Sequence, residues 1–211
     1  MTHAKKILVL FAHPRKSTSI VQQAMLDALQ GLDDVTVHDL YAAYPDFLID
    51  LRREQELLNA HDIIVLQHPF YWYSSPAIIK EWLDLVLEHG WAYGVGGQHL
   101  AGKFLMTAIS TGGAKEAYGP DGHNRFDIGQ MLTPFNQTAF LCSMGWLKPF
   151  VIHAGRNLDP AVLSGRAEAY RELIVDLRDG RKDPLKLLAS GYDLPKAFSK
   201  VSNERGSQHA S

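Results

Sequence analysis

Short apolar runs alternate along this chain with longer segments in which apolar residues recur at helical spacing. That alternation is typical of βαβ units built around a parallel sheet. The runs at 7–11, 63–66 and 104–109 are apolar at nearly every position, as strands buried on both faces must be. We therefore expect these three runs to be the central strands of an α/β fold.

Two further runs have the features of edge strands. Polar and apolar residues alternate at 35–39, and Pro149 lies inside the run at 147–152, where it lacks the N–H that a central strand donates. Three central and two edge strands predict a doubly wound, five-stranded parallel sheet in the order 2-1-3-4-5. In such a sheet, ligands bind at the carboxyl ends of the first and third strands.

Capping residues mark where several of the intervening helices begin. The expected starts are Asp50, Ser75-Pro76, Thr133-Pro134 and Asp159-Pro160. Gly180 is expected to end the last helix. Cys142, the single cysteine, falls on an apolar helical face and is expected to be a packed core thiol, since it has no partner for a disulfide.

The length of 211 residues fits one domain with an appendage. We expect residues 1–180 to form the domain and residues 181–211 to form a polar C-terminal tail. The apolar residues of that tail are expected to pack on a neighbouring subunit. They are Leu185, Leu187, Leu188 and Phe198.

The charge balance excludes several classes of partner. Twenty-one Lys and Arg against 23 Asp and Glu give a formal charge of −2, which argues against nucleic-acid binding. One cysteine cannot assemble a thiolate metal site, and we expect no bound metal. The apolar runs are too short for a signal peptide or a membrane span, so we expect a cytoplasmic protein.

The loop after the first strand, residues 12–19, contains three hydroxyl side chains at the start of a helix. They are Ser17, Thr18 and Ser19. The loop has neither a dinucleotide-binding nor a P-loop glycine pattern. Free N–H groups at a helix N-terminus can nevertheless bind a phosphate. The alternative is that these hydroxyls only cap the helix.

The loops after the third and fourth strands differ from ordinary polar loops. The first, residues 67–75, carries four consecutive aromatic residues that would form a flat surface against a planar ring, or else a core plug or dimer patch. The second begins with Ser110-Thr111-Gly112-Gly113, where adjacent glycines allow a close approach of a ligand to the backbone. Two groups that can donate protons, Tyr118 and His123, follow.

The chain resembles the flavodoxin-like NAD(P)H:quinone oxidoreductases, and most closely the ancillary quinone reductases of glutathione-regulated potassium-efflux systems. The likeness covers about residues 5 to 178. It rests on LFAHP at 10–14, residues 39–47, QHPFYWYS at 67–74, PAIIKEWLD at 76–84, HGWAYG at 89–94 and STGG at 110–113.

The resemblance implies a flavin cofactor, FMN in the bacterial branch and FAD in the other. It places the flavin phosphate on His13, Ser19, Ile20, Val21 and Gln22. The ring is expected along Phe70, Tyr71, Trp72 and Tyr73, and its edge at Ser110, Thr111, Gly112 and Gly113. Family members often have Asn near the end of the first loop, whereas Val21-Gln22 stand here, so the implied contacts there are those of the backbone.

The resemblance also implies a reaction. NADH or NADPH would reduce the flavin and leave, and a quinone would take its place and accept two electrons. Tyr118 stands at the family spacing from Gly113, and His123 matches the family's histidine only if a short deletion is assumed; a solvated loop histidine is the alternative. The active site would lie across a homodimer interface to which residues 91–93 contribute.

Three classes of function follow from these observations. The first is an NAD(P)H-dependent quinone reductase. The second is a regulatory subunit that docks on a potassium-efflux membrane transporter, a peripheral position that is compatible with enzyme activity. The third, a flavodoxin-type electron carrier, is disfavoured by the near-neutral charge, because carriers use a strong acidic field to steer their partners.

Overall fold

The structure, a computed structural model, describes residues 4–155, 157–196 and 198. Six parallel strands form its central sheet. They are β1 (Ile7–Phe11), β2 (Val35–Asp39), β3 (Ile63–Pro69), β4 (Phe104–Ser110), β5 (Gly145–Trp146) and β6 (Phe150–Ile152). Their order is β2-β1-β3-β4-β5, and β6 also pairs with β4. The α/β class, the doubly wound order and the edge position of β2 are thereby confirmed.

Helices cover both faces of the sheet. They are α1 (Ile20–Ala28), α2 (Leu40–Ala43), α3 (Leu51–Ala60), α4 (Ala77–Val86), α5 (Ile128–Met131), α6 (Thr133–Leu141) and α7 (Pro160–Arg178). Apolar residues of α1 and α7 pack on one face, and those of α3, α4 and α6 pack on the other. Among the helices of the described ranges, none is both long and apolar enough to cross a bilayer.

The predicted fifth strand is two short strands. Residues 147–149 separate β5 from β6, and both pieces pair with β4. The break falls where Pro149 cannot donate to a ladder. The C-terminal segment compensates for the interruption, because Lys148 N donates to Leu187 O at 2.8 Å and Ala189 N donates to Trp146 O at 2.9 Å.

That pairing corrects the expectation that the tail packs on a neighbouring subunit. Leu187, Leu188 and Phe198 instead pack on the core of their own chain. Phe198 is 3% exposed, and its ring centroid lies 5.3 Å from that of Phe104. Leu187, Leu188 and Phe198 thus cover apolar residues of the core, while Leu185 stays 45% exposed.

Helix starts were predicted with mixed success. Asp50 and Asp159 cap α3 and α7 as expected, accepting from backbone N–H groups at 3.1 and 2.8 Å. Pro76, rather than the serine before it, is the N-cap of α4. Thr133 lies inside α6, because the short helix α5 precedes it and its hydroxyl donates to Gln130 O.

Cys142 is confirmed as a core thiol. Its side chain is 2% exposed at the end of α6. Burial raises the pKa of the thiol to about 11, so it stays protonated at neutral pH.

A buried carboxylate holds the α3 and α4 side of the fold together. Glu54 on α3 is fully buried and accepts from His38 Nε2 at 2.8 Å, Tyr44 Oη at 2.5 Å and Trp82 Nε1 at 2.8 Å. Burial by itself raises the pKa of Glu54, but the hydrogen bonds from these three side chains outweigh it and hold the pKa below its usual value. The carboxylate therefore ties β2, α2 and α4 to α3.

We expect Glu54→Gln to lower the free energy of unfolding by about 3 kcal/mol at pH 7, because an amide N–H₂ would face a buried donor. The Glu54 carboxylate contributes to stability fully above the usual carboxyl pKa, and this contribution is lost as the pH falls through the lowered pKa of Glu54. Urea unfolding of wild type and variant at several pH values measures the stability difference and its pH dependence. Glu56→Gln, on the exposed side of the same helix, should change stability by less than about 0.5 kcal/mol; equal effects of the two variants would contradict this account.

Candidate functional site

The carboxyl ends of β1, β3 and β4 meet at one edge of the sheet, as the strand order requires. The loops that follow these strands therefore border one crevice. β3 is longer than expected: Gln67 and His68 belong to the strand and are fully buried, so the aromatic loop begins at Phe70. Because Gln67 and His68 are polar, the apolar pattern did not indicate that the strand continues through them.

The N-terminus of α1 faces this crevice with free donors. Ser19 caps the helix, since its Oγ accepts from Gln22 N at 3.3 Å. In the described part of the chain, the backbone N–H groups of Ile20 and Val21 have no hydrogen-bond acceptor. These two donors and the helix dipole suit an anion such as a phosphate.

His13 is fixed beside the aromatic loop as a neutral ring. Its Nδ1 accepts from Arg15 N at 3.0 Å, and its Nε2 lies 3.4 Å from Tyr71 Oη. Burial, aided by the positive charge of Arg15, lowers the pKa of His13. Because Nδ1 is an acceptor, the ring proton sits on Nε2 and points toward Tyr71.

The aromatic loop is a tight, strained turn. Ser74 N donates to Tyr71 O at 2.9 Å, and the two residues between them, Trp72 and Tyr73, have φ of +49° and +62°. Positive φ at both central positions normally selects Asn and Gly, and costs an aromatic residue about 1–2 kcal/mol. Trp72 is 92% exposed, so the loop is not a core plug. Strain combined with exposure of a large apolar ring points to a ligand.

Opposite this turn lies the loop after β4. Within the described ranges, the N–H groups of Gly112 and Gly113 donate to no protein acceptor. A Cβ on Gly113 would lie 3.3 Å from Tyr118 Cε2, so the glycine lets the tyrosine ring lie against the backbone. Thr111 Oγ1 donates to Gly113 O at 2.8 Å and fixes the turn.

Between the two loops is a cleft of about 340 Å³. It is lined by Phe70, Trp72, Tyr73, Gly113, Ala117, Tyr118, His123 and Asn124. Tyr73 Oη donates to Asn124 Oδ1 at 3.3 Å and bridges its mouth. The structure thus brings the predicted ring surface, glycine turn and proton donors together, with His123 exposed at the rim.

His153 is a site residue that the sequence reasoning missed. It follows β6, and its ring centroid lies 5.5 Å from that of Tyr118. Thr111 Oγ1 already donates to Gly113 O, so His153 Nδ1 is the donor in its 3.2 Å contact with that hydroxyl. Burial, and then the charge of Lys115, lower the pKa of His153. Its position after a strand end was the available signal.

Two of the residues that were expected to contact the phosphate have side chains that point into the protein. Val21 is 5% exposed and packs against Gly155, where an added Cβ would lie 2.9 Å from Val21 Cγ2. Gln22 is fully buried, and its side-chain amide bonds other protein groups. Of these two residues, only the backbone N–H of Val21 is left for a phosphate, because the Gln22 N–H donates to Ser19 Oγ.

The aromatic segment at 91–93 is mostly occupied within its own chain. Ala92 is fully buried, and the Trp91 ring stacks on His99 with centroids 5.0 Å apart. Tyr93 borders a separate groove of about 540 Å³ between α4 and α6. A homodimer remains a prediction.

The fold agrees with the comparisons to known proteins. A family model described as "Flavodoxin-like fold" matches residues 5–174. The chain belongs to the flavodoxin-like fold family. The glutathione-regulated potassium-efflux system ancillary protein KefG of Pectobacterium carotovorum is 51% identical over 172 residues, which are 82% of this chain and 94% of that protein.

Solved structures share this fold. General stress protein 14 of Treponema denticola, in complex with FMN, is 36% identical with a TM-score of 0.75, covering 84% of this chain and 99% of that one. An NADPH-quinone reductase from P. pentosaceus is 30% identical with a TM-score of 0.74, covering 80% and 97%. The relatives thus include a flavoprotein, a quinone reductase and an ancillary protein.

We expect the strained turn to lower the unfolding free energy of the protein while it strengthens ligand binding. Replacing Trp72-Tyr73 by Asn-Gly supplies the residues that a turn with two positive φ angles prefers, so the double variant should gain at least about 1 kcal/mol in unfolding free energy. It should also weaken binding of a planar ring, since two aromatic faces are lost; FMN, present in the structure of the Treponema denticola relative, is the probe. Urea unfolding of the apoprotein and FMN fluorescence titration measure the two effects. A variant that is no more stable, or that binds FMN as wild type does, would refute this interpretation of the turn.

Proposed function

We propose that this chain is a flavin-dependent NAD(P)H:quinone oxidoreductase that uses FMN. The observation that carries the proposal is the strained, exposed Trp72 beside a cleft whose other wall includes Gly113. Among the described residues, the amides of Gly113 and the adjacent Gly112 have no acceptor. An aromatic face opposite backbone donors suits a planar heterocycle with polar edges. The FMN complex and the quinone reductase among the solved relatives support the same assignment.

The residues present fit FMN from phosphate to ring. The free N–H groups of Ile20 and Val21 would hold the phosphate, the turn at Trp72 would lie along the ring, and Gly112-Gly113 would donate to the ring edge. FMN, when bound, supplies the two-electron chemistry that links nicotinamide oxidation to quinone reduction. The protein binds, orients and shields the reactants.

The two substrates would use one cleft in turn, which is the physical basis of a ping-pong sequence. The cleft of about 340 Å³ lies between the aromatic turn and Tyr118. The Tyr118 hydroxyl, on a ring held by Gly113 and His153, would donate to the oxygen of a quinone as negative charge develops there. His123 at the rim would supply a second donor.

Tyr118→Phe should slow quinone reduction about a hundredfold, since one donor to a developing negative charge is lost. Turnover is followed as quinone-dependent NAD(P)H oxidation, and FMN content should stay at the wild-type level. His123→Ala is expected to slow the reaction by a smaller factor, because that side chain is exposed to water.

Tyr192→Phe is the matched control, since Tyr192 is also half-buried but its hydroxyl donates to Met144 O at 2.5 Å, outside the cleft. It should leave turnover unchanged. Unchanged turnover in Tyr118→Phe would remove that hydroxyl from the mechanism, and NAD(P)H oxidation that does not require quinone would count against quinone as the acceptor.

A second function is favoured by the similarity to the ancillary protein KefG, which extends over 82% of this chain. We infer that the chain also binds a glutathione-regulated potassium-efflux transporter as a peripheral regulatory subunit on the cytoplasmic side, and that it does so as a homodimer. Enzyme activity and transporter binding are compatible, because the cleft occupies only one edge of the sheet.

Transporter binding is tested by co-purification with a potassium-efflux transporter from detergent-solubilised membranes. We expect Tyr118→Phe to co-purify as wild type does, since its hydroxyl lies inside the cleft. Failure of the wild-type protein to co-purify would remove the regulatory function, and sedimentation of the purified protein as a monomer would remove the homodimer. Neither result would bear on quinone reduction.

A further inference from the structure

Four polar side chains form a continuous chain of hydrogen bonds beneath the crevice. Tyr170 Oη on α7 donates to Gln67 Oε1 on β3 at 3.1 Å. Gln67 Nε2 donates to Gln22 Oε1 on α1 at 3.2 Å, and Gln22 Nε2 donates to Ser110 Oγ at the end of β4 at 2.9 Å. Tyr170, Gln67 and Gln22 are fully buried, whereas Ser110 is half-buried at the crevice.

The direction of this chain is set by the backbone. Amide oxygen and nitrogen are exchanged by a flip of the side chain, so a row of amides can in principle run either way. Gln67 Nε2 also lies 3.4 Å from the backbone carbonyl oxygen of Gln22. A carbonyl only accepts, so a flipped Gln67 would place two oxygens against each other. The amide nitrogen of Gln67 must therefore face Gln22.

The same direction holds at both ends. Burial raises the pKa of Tyr170, so its hydroxyl keeps the proton that it donates to Gln67. With Gln67 donating to its oxygen, Gln22 has its nitrogen directed at Ser110. The Ser110 oxygen thus accepts from inside the protein, and the hydroxyl proton is left for an acceptor elsewhere. The Ser110 backbone is fixed as well, because its carbonyl accepts from Phe70 N at 2.8 Å.

We propose that Gln22 and Gln67 are positioning residues that make the Ser110 hydroxyl an obligatory hydrogen-bond donor into the crevice, aimed at the edge of the flavin ring. The inference rests on the proposed function, since it needs FMN in the crevice. A donor at the ring edge favours the reduced, more negative form of the cofactor over the oxidised form. The buried amides thereby act on the reduction potential without touching the cofactor.

This role is more than packing. Three fully buried polar side chains cost free energy unless every one is paired, and apolar residues would fill the same volume without that requirement. The Gln22 side chain reaches Ser110 across the interior at 2.9 Å.

The test is a double-mutant cycle on the midpoint potential of the FMN-loaded protein. Ser110→Ala should weaken binding of reduced FMN about tenfold more than binding of oxidised FMN, which lowers the two-electron potential by about 30 mV. Gln22→Met should lower the potential by a smaller amount, because the Ser110 hydroxyl remains but is free to turn away. The double variant should shift no further than Ser110→Ala, because without that hydroxyl Gln22 has nothing to position. Gln23→Met, the same change on the adjacent residue, whose amide bonds Asp27, should leave the potential unchanged.

Each other outcome overturns a distinct claim. A protein that binds no FMN contradicts the proposed function and this inference with it. A protein that binds FMN with an unchanged potential in Ser110→Ala contradicts the inference alone. Additive shifts in the double variant would show that Gln22 acts through packing. If Gln22→Met does not fold, Gln67→Met removes the donor that orients the Gln22 amide, and a smaller shift of the same sign is expected; no shift would contradict the positioning role.

Discussion

The central strands of this protein are buried on both faces, and every other feature of the site depends on that burial. β1 is fully buried along its length, and β3 and β4 nearly so. Polar groups inside such strands must find partners within the protein, since water cannot reach them. Gln67 meets this requirement through Gln22 and Tyr170, and the resulting hydrogen bonds end at the crevice. The hydrogen bonds that satisfy polar groups in the core therefore also determine the geometry of the site.

The sheet was predictable because its signal is local. Continuous apolar runs identified β1, β3 and β4, and alternation identified β2 as an edge. The details that failed depended on contacts distant in sequence. The end of β3 was hidden because the pairing of Gln67 with Tyr170 is invisible without the fold. One edge strand was expected where β5 and β6 lie, and Pro149 explains why the two are separate. The hydrogen bonds that residues 187–189 make across this break depend on the fold and could not be predicted.

The candidate site was predictable in location more than in detail. The strand-end rule and the unusual loop compositions located the aromatic turn and the glycine turn, and the structure brings both to one cleft. The strain at Trp72 and Tyr73 could not be predicted, because aromatic residues rarely adopt positive φ. The end of the last strand was correctly expected at Ile152, but His153 was missed because only the loops after the first, third and fourth strands were considered. The inward orientation of Gln22 likewise required the fold.

These features support an enzyme built on rigid elements, with one strained loop reserved for ligand contact. The central proposal is that the crevice holds a flavin. The most direct measurement is mass spectrometry of the small molecule released when the purified protein is denatured, with its stoichiometry taken from absorbance. We expect the denatured protein to release FMN at about one molecule per chain. Protein that releases no flavin, and takes up none when FMN is added, would contradict it.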